Sequence, residues 1–125
     1  MKTNRGYRML LSVFFLITQL SCIPVDADQK KKISTEKNIL VTRAKQATIK
    51  YKLSSIAVTC LNFQVAAEKY EGKPMVDVHE IHDTKCGGDP QTAPRLFSIA
   101  LDDHTREVWS DAKSLVSQME RIGKE

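Results

Sequence analysis

No stretch of this 125-residue chain is apolar for long enough to cross a bilayer as a permanent helix. The one long apolar run, Met9–Leu20, is interrupted by Ser12, Thr18 and Gln19, whereas a spanning helix needs about 20 apolar residues. Net charge is also scarce. The formal value is +4, and aromatic residues are not interleaved with the lysines, which argues against a nucleic-acid partner. The serine-hydrolase pattern Gly-x-Ser-x-Gly is missing, and Ser54-Ser55 has no acid–base partner at a recognisable spacing. Cysteine is sparse too, with Cys22, Cys60 and Cys86 the whole complement. The length supports one domain.

What is present begins at the amino terminus. Lys2, Arg5 and Arg8 precede the apolar run, and Pro24 is followed by Val25-Asp26-Ala27. A basic start, an apolar middle and a small-residue exit make a secretory signal, here residues 1–27. The expected working protein is then Asp28–Glu125, released into the periplasm. An alternative keeps Cys22 as the lipid-modified residue of an envelope lipoprotein, with Gln19 standing where the lipobox wants an aliphatic side chain. Under either reading Cys60 and Cys86 remain as a pair, and export makes their disulfide the default. Closing that loop contributes about 3.5 kcal/mol in the chain-entropy model. The competing reading is a reactive Cys86 thiol beside His79 or His82.

Charge is unevenly distributed. Between Lys30 and Lys52 there are eight basic residues against Glu36 alone, and from Glu68 onward twelve acids face eight bases. Such asymmetry can steer an acidic partner or an anionic envelope surface toward the amino-terminal end. The alternative is that Lys30–Lys32 is a solvated leader and the remaining lysines form the wet face of a helix.

Residues 28–34 read as a mobile basic leader and 35–125 as a single α+β domain. Leu40, Ala44, Ala47 and Tyr51 recur at helical spacing, with Ser34 or Thr35 as N-cap and Ser54-Ser55 as breaker. Leu61, Phe63 and Val65 then alternate with Asn62 and Gln64, the mark of a half-buried strand. A turn at Lys69–Lys73 leads into a second strand, Met75–Ile81, pairing antiparallel with the first. After the irregular stretch His82–Arg95 come a third strand, Leu96–Leu101, a turn at Asp102–Thr105 and a fourth strand, Glu107–Ser110. Ala112, Leu115, Val116, Met119 and Ile122 follow helical spacing, capped by Ser110 or Asp111 and stopped by Gly123. The expected architecture is an N-terminal helix, a four-stranded antiparallel sheet and a C-terminal helix packed on that sheet.

The stretch Lys85-Cys86-Gly87-Gly88-Asp89-Pro90-Gln91-Thr92-Ala93-Pro94-Arg95-Leu96-Phe97 resembles a signature in small exported bacterial proteins, many of them lipoproteins and mostly uncharacterised. In that group a strand ending near a histidine precedes the Cys-Gly-Gly-Asp-Pro loop, matching His79–Pro90. Gly72–Val78 followed by Leu96–Val108 resembles the hairpin of PepSY-type domains, which are associated with peptidase inhibition and envelope binding. Arg106 stands where that family usually has glycine. These resemblances imply the fold and the disulfide, and they assign no catalytic residue.

Three clusters invite a chemical reading. His79, His82, Asp83, Cys86 and Asp89 are potential metal ligands. Residues three apart on a strand point to opposite faces, however, and zinc would compete with the disulfide for Cys86. No metal or cofactor is therefore expected. Asp102, Asp103 and His104 read as turn residues whose short side chains bond the local backbone, in preference to an acid–base set. The third cluster is the cysteine-pinned loop, which loses little entropy on binding. Its expected contact residues are Lys85, Asp89, Gln91 and Arg95, with His82 at the rim. The function expected is non-enzymatic: binding or inhibition of a partner protein, plausibly a cell-wall hydrolase, as inhibitor or immunity protein. A structural lipoprotein anchored through Cys22 is the alternative, and a metal or thiol enzyme would need a free Cys86.

Overall fold

From Asp26 to Glu71 the chain contains neither glycine nor proline, and the first half of that stretch is one helix, α1 (Ala27–Lys50). The computed structural model describes residues 26–125. The first 25 residues, with Cys22 and most of the expected signal segment, lie outside the described residues. At 24 residues the helix is about 36 Å long. It begins earlier than the Ser34 or Thr35 cap expected, because Gln29 and Lys30–Lys32 are good helix formers. Residues 28–34 are therefore its first turns, and Thr35 donates its hydroxyl to the Lys31 carbonyl at 3.0 Å inside it. Residues 26–39 are exposed throughout, and burial starts at Leu40. Ala44 and Ala47 are buried, small enough to let the helix lie close to the sheet.

A short 3-10 turn (Val58–Cys60) leads into a five-stranded antiparallel sheet in sequence order. Its strands are β1 (Leu61–Tyr70), β2 (Lys73–Glu80), β3 (Arg95–Leu101), β4 (Glu107–Ser110) and β5 (Glu120–Lys124). The β1–β2 hairpin turns through Glu71 and Gly72, both at positive φ, which suits the right-handed twist of the flanking strands. Leu61, Phe63, Val76, Val78, Phe97, Ile99, Leu101 and Val108 form the core with Ala44 and Ala47 of the helix. Alternation along each strand sends the other set of side chains to the opposite face.

The expected C-terminal helix is absent, and the sheet has five strands where four were expected. Residues 111–119 are a loop, and β5 pairs with β4 from Glu107↔Lys124 to Ser110↔Glu120. Leu115 and Val116, which the helical spacing placed in the core, are 102% and 77% exposed. Tertiary contacts outweigh the helical pattern here. Ser110 and Asp111 spend their side chains on β3 instead of capping a helix. Gly123, the expected helix stop, lies against the Tyr51 ring, where a methyl group would overlap the phenol. Tyr51 in turn donates its hydroxyl to the Lys124 carbonyl. Gly123→Ala is therefore expected to destabilise the fold by about 1–3 kcal/mol through overpacking, measured by urea denaturation. In the helix-stop arrangement the same change would be nearly neutral.

An ionic clasp joins the helix to the end of β5. Arg43 donates to both carboxylate oxygens of Glu125, at 2.7 and 2.9 Å, and to Asp103 at 2.5 Å. The bond to Glu125 is the main reason its guanidinium holds its proton more tightly than usual. In the β3–β4 turn, Asp102 Oδ1 accepts the Thr105 and His104 amides at 2.9 and 2.8 Å. Those two amides, Thr105 first, hold the Asp102 carboxyl below the usual carboxylate range. Because the folded value is the lower one, the turn's contribution is complete above about pH 4 and disappears as pH falls through that lowered value. A carbon-detected NMR titration should place the Asp102 midpoint below that of the same residue in the unfolded chain. The turn reading of Asp102–Thr105 is thus the geometry observed.

Candidate functional site

The helix covers one face of the sheet only. On the other face a groove of about 600 Å³ opens between the second half of β1 and the 111–119 loop. Its formation starts at an irregularity in β1. Val65 pairs with Val76 and Lys69 with Pro74, so Ala66, Ala67 and Glu68 all stand opposite Met75. Extra residues in one strand bend it and strengthen its twist, which gives the groove its wall. Tyr70 and Met75 line one part, and Met119 from the loop lines another.

The far end of the groove is polar and tightly built. β4 stops pairing with β3 at Ser110, and side chains take over the ladder from there. Ser110 donates its hydroxyl to the Ser98 carbonyl at 2.8 Å, and Asp111 Oδ1 accepts the Ser98 amide at 2.7 Å. Arg95 Nη1 donates to Ser98 Oγ at 2.5 Å and to Asp111 Oδ2 at 3.3 Å. Ser98 Oγ donates onward to Asp77 Oδ1. Asp111 is 7% exposed and Arg95 44% exposed. A guanidinium anchored through one nitrogen by buried partners is pre-set for a further hydrogen-bonding group.

The 81–94 loop leads into Arg95 from the other end of the β1–β2 pair. Cys60, just before β1, is bonded to Cys86 across 26 residues. Asp83 Oδ1 accepts the Lys85 and Cys86 amides at 2.9 and 2.6 Å, and Asp83 and Gly87 exchange backbone hydrogen bonds. The His82 ring is the hub: Nδ1 lies 2.8 Å from Thr92 Oγ1 and 3.0 Å from the Asp89 carbonyl. Its Nε2 lies 3.3 Å from Glu80. Gly88, at φ +81°, packs on that ring where any side chain would collide with it. His79 Nδ1, 3.0 Å from the Ala93 carbonyl, ties down the returning limb.

Of the contact residues expected from sequence, Lys85, Asp89 and Gln91 are exposed on the loop. Arg95 lines the groove instead. His82 is turned inward with its side chain 12% exposed, so it organises the loop and does not form a rim. Cys86 is a disulfide partner, and among the described residues no three His, Cys, Asp or Glu side chains converge on a metal position. Sequence reasoning passed over Asp77, Ser98 and Asp111. One legible signal was available, since Asp77 lies between Val76 and Val78, Ser98 lies between Phe97 and Ile99, and the two pair across β2–β3.

No protein-family model, curated protein or solved structure matches this chain.

Proposed function

We propose that this is a non-enzymatic, exported binding protein that docks a partner protein against the helix-free face of its sheet and blocks it, with a cell-wall hydrolase as the partner class. The observation that carries the reading is the groove itself, which sets a fixed Arg95–Ser98–Asp77–Asp111 array beside Tyr70, Met75 and Met119. Arginine and aromatic side chains are what interface hot spots are made of. Pre-organisation supports recognition in the same way. Disulfide, histidine and backbone ties already fix the 81–94 loop that leads into Arg95, so little entropy is lost there when a partner arrives. The Cys60–Cys86 bridge supports an oxidising compartment. Ser98 and Asp77 are committed to each other and to Arg95, which supports a positioning role over a nucleophilic one.

The test pairs capture with inhibition. Immobilised protein is offered envelope extract, and any hydrolase recovered is then assayed for wall clearing with added protein. Arg95→Ala and Met75→Asp are each expected to lower recovery and inhibition about tenfold or more. Gln46→Ala, on the exposed side of α1, should change neither. Equal recovery by all forms would exclude the groove as the contact surface.

A further inference from the structure

The exposed half of α1 has no role in the core or in the groove on the opposite face. Lys30, Lys31, Lys32 and Lys37 lie within this half of the helix, against Asp28 in its first turn and Glu36. All four lysines are exposed. None makes an ion pair among the described residues. At about 100° per residue, Lys31 and Lys32 point away from the side that carries Lys30, Ile33 and Lys37. The ammonium groups therefore ring the helix and do not form one flat patch. Ile33, 46% exposed, is the apolar residue among them.

We propose that this helix segment is a contact for an anionic phospholipid surface. The lysines supply the electrostatic attraction, and Ile33 sits at headgroup level. Charge complementarity selects the occupant. Mobile point charges arranged around a rod suit a smeared surface potential, to which each juxtamembrane lysine adds about fivefold in affinity. A folded acidic protein would call for a flat patch with arginine or aromatic anchors, and this segment has neither. In the alternative in which Cys22 is the lipid-modified residue, only seven residues separate that anchor from Lys30.

The chain from Asp26 to Glu125 carries every described element and both disulfide cysteines, so it is the form to test. It is sedimented with phosphatidylcholine vesicles containing about one third phosphatidylglycerol, and with phosphatidylcholine alone. Salt is set at about 0.05 M and then about 0.5 M, where the screening length falls well below 10 Å. Binding is expected to the anionic vesicles at low salt only. The triple change Lys30→Gln, Lys31→Gln, Lys32→Gln should weaken it tenfold to about a hundredfold. The triple Lys85→Gln, Lys113→Gln, Lys124→Gln removes equal charge from exposed sites elsewhere and should leave most of the binding, with the far-UV spectrum of each variant unchanged. No binding to anionic vesicles at low salt would overturn the proposal. So would equal binding to neutral vesicles, or equal loss in both triple variants.

Discussion

Replacing Cys60 and Cys86 together by serine is expected to lower the free energy of unfolding by about 3.5 kcal/mol. The bridge closes 26 residues between the start of β1 and the 81–94 loop. A domain of this size holds only about 5–15 kcal/mol in total. The loop's other ties are hydrogen bonds at His79, His82 and Asp83, each contributing about 1 kcal/mol net. Those bonds form only once the loop is in place, whereas the covalent link restricts the unfolded chain directly. Urea denaturation followed by the fluorescence of Trp109, the sole tryptophan, measures the difference. The slope should also steepen, because an unbridged denatured chain exposes more surface. A loss below about 1 kcal/mol would mean that the hydrogen bonds hold the loop unaided.

The second large effect is a contrast between two aliphatic residues. Ile99 is fully buried in the central strand and pairs with Val76 on one side and Ser110 on the other. Ile99→Ala should cost about 2–5 kcal/mol, because neighbours on three sides cannot collapse into the space left. Leu115→Ala should stay within about 0.5 kcal/mol, since that side chain is fully exposed. With a C-terminal helix lying on the sheet, Leu115 would belong to the core and its truncation would cost as much as that of Ile99. The pair of measurements therefore decides between the two architectures for residues 111–124.

The same contrast shows why part of the fold was legible in the sequence and part was not. The four central assignments rested on period-two alternation next to unambiguous turns. Leu61-Asn62-Phe63-Gln64-Val65, Leu96–Leu101 and Glu107–Ser110 all form strands, as does Met75–Glu80 of the expected Met75–Ile81. The cysteine pairing followed from compartment and parity, and the bridge is present. The carboxy terminus failed because Ala112, Leu115, Val116, Met119 and Ile122 satisfy a helical period by chance, while the information that decides the matter is non-local. The Tyr51 ring against Gly123 and the Arg43 bond to Glu125 have no trace within a window of neighbouring residues. The groove was illegible for a related reason. Ser110 and Asp111 are good helix-capping residues and equally good substitutes for a missing strand, and only the partner strand tells which. Arg95 was found through its neighbourhood to the loop, whereas its actual partners, Asp77, Ser98 and Asp111, come from three separate segments.

The clasp between Arg43 and Glu125 links positions 82 residues apart, joining the first described element, α1, to the residue just past β5. Each strand pairs with its immediate successor, so the sheet can zip up progressively while the chain is being made. Without the Glu125 carboxylate, Arg43, whose side chain is only 12% exposed, would keep Asp103 as its partner. Glu125→Gln is therefore expected to loosen the grip of α1 on the rim of the sheet, while its packing through Ala44 and Ala47 persists.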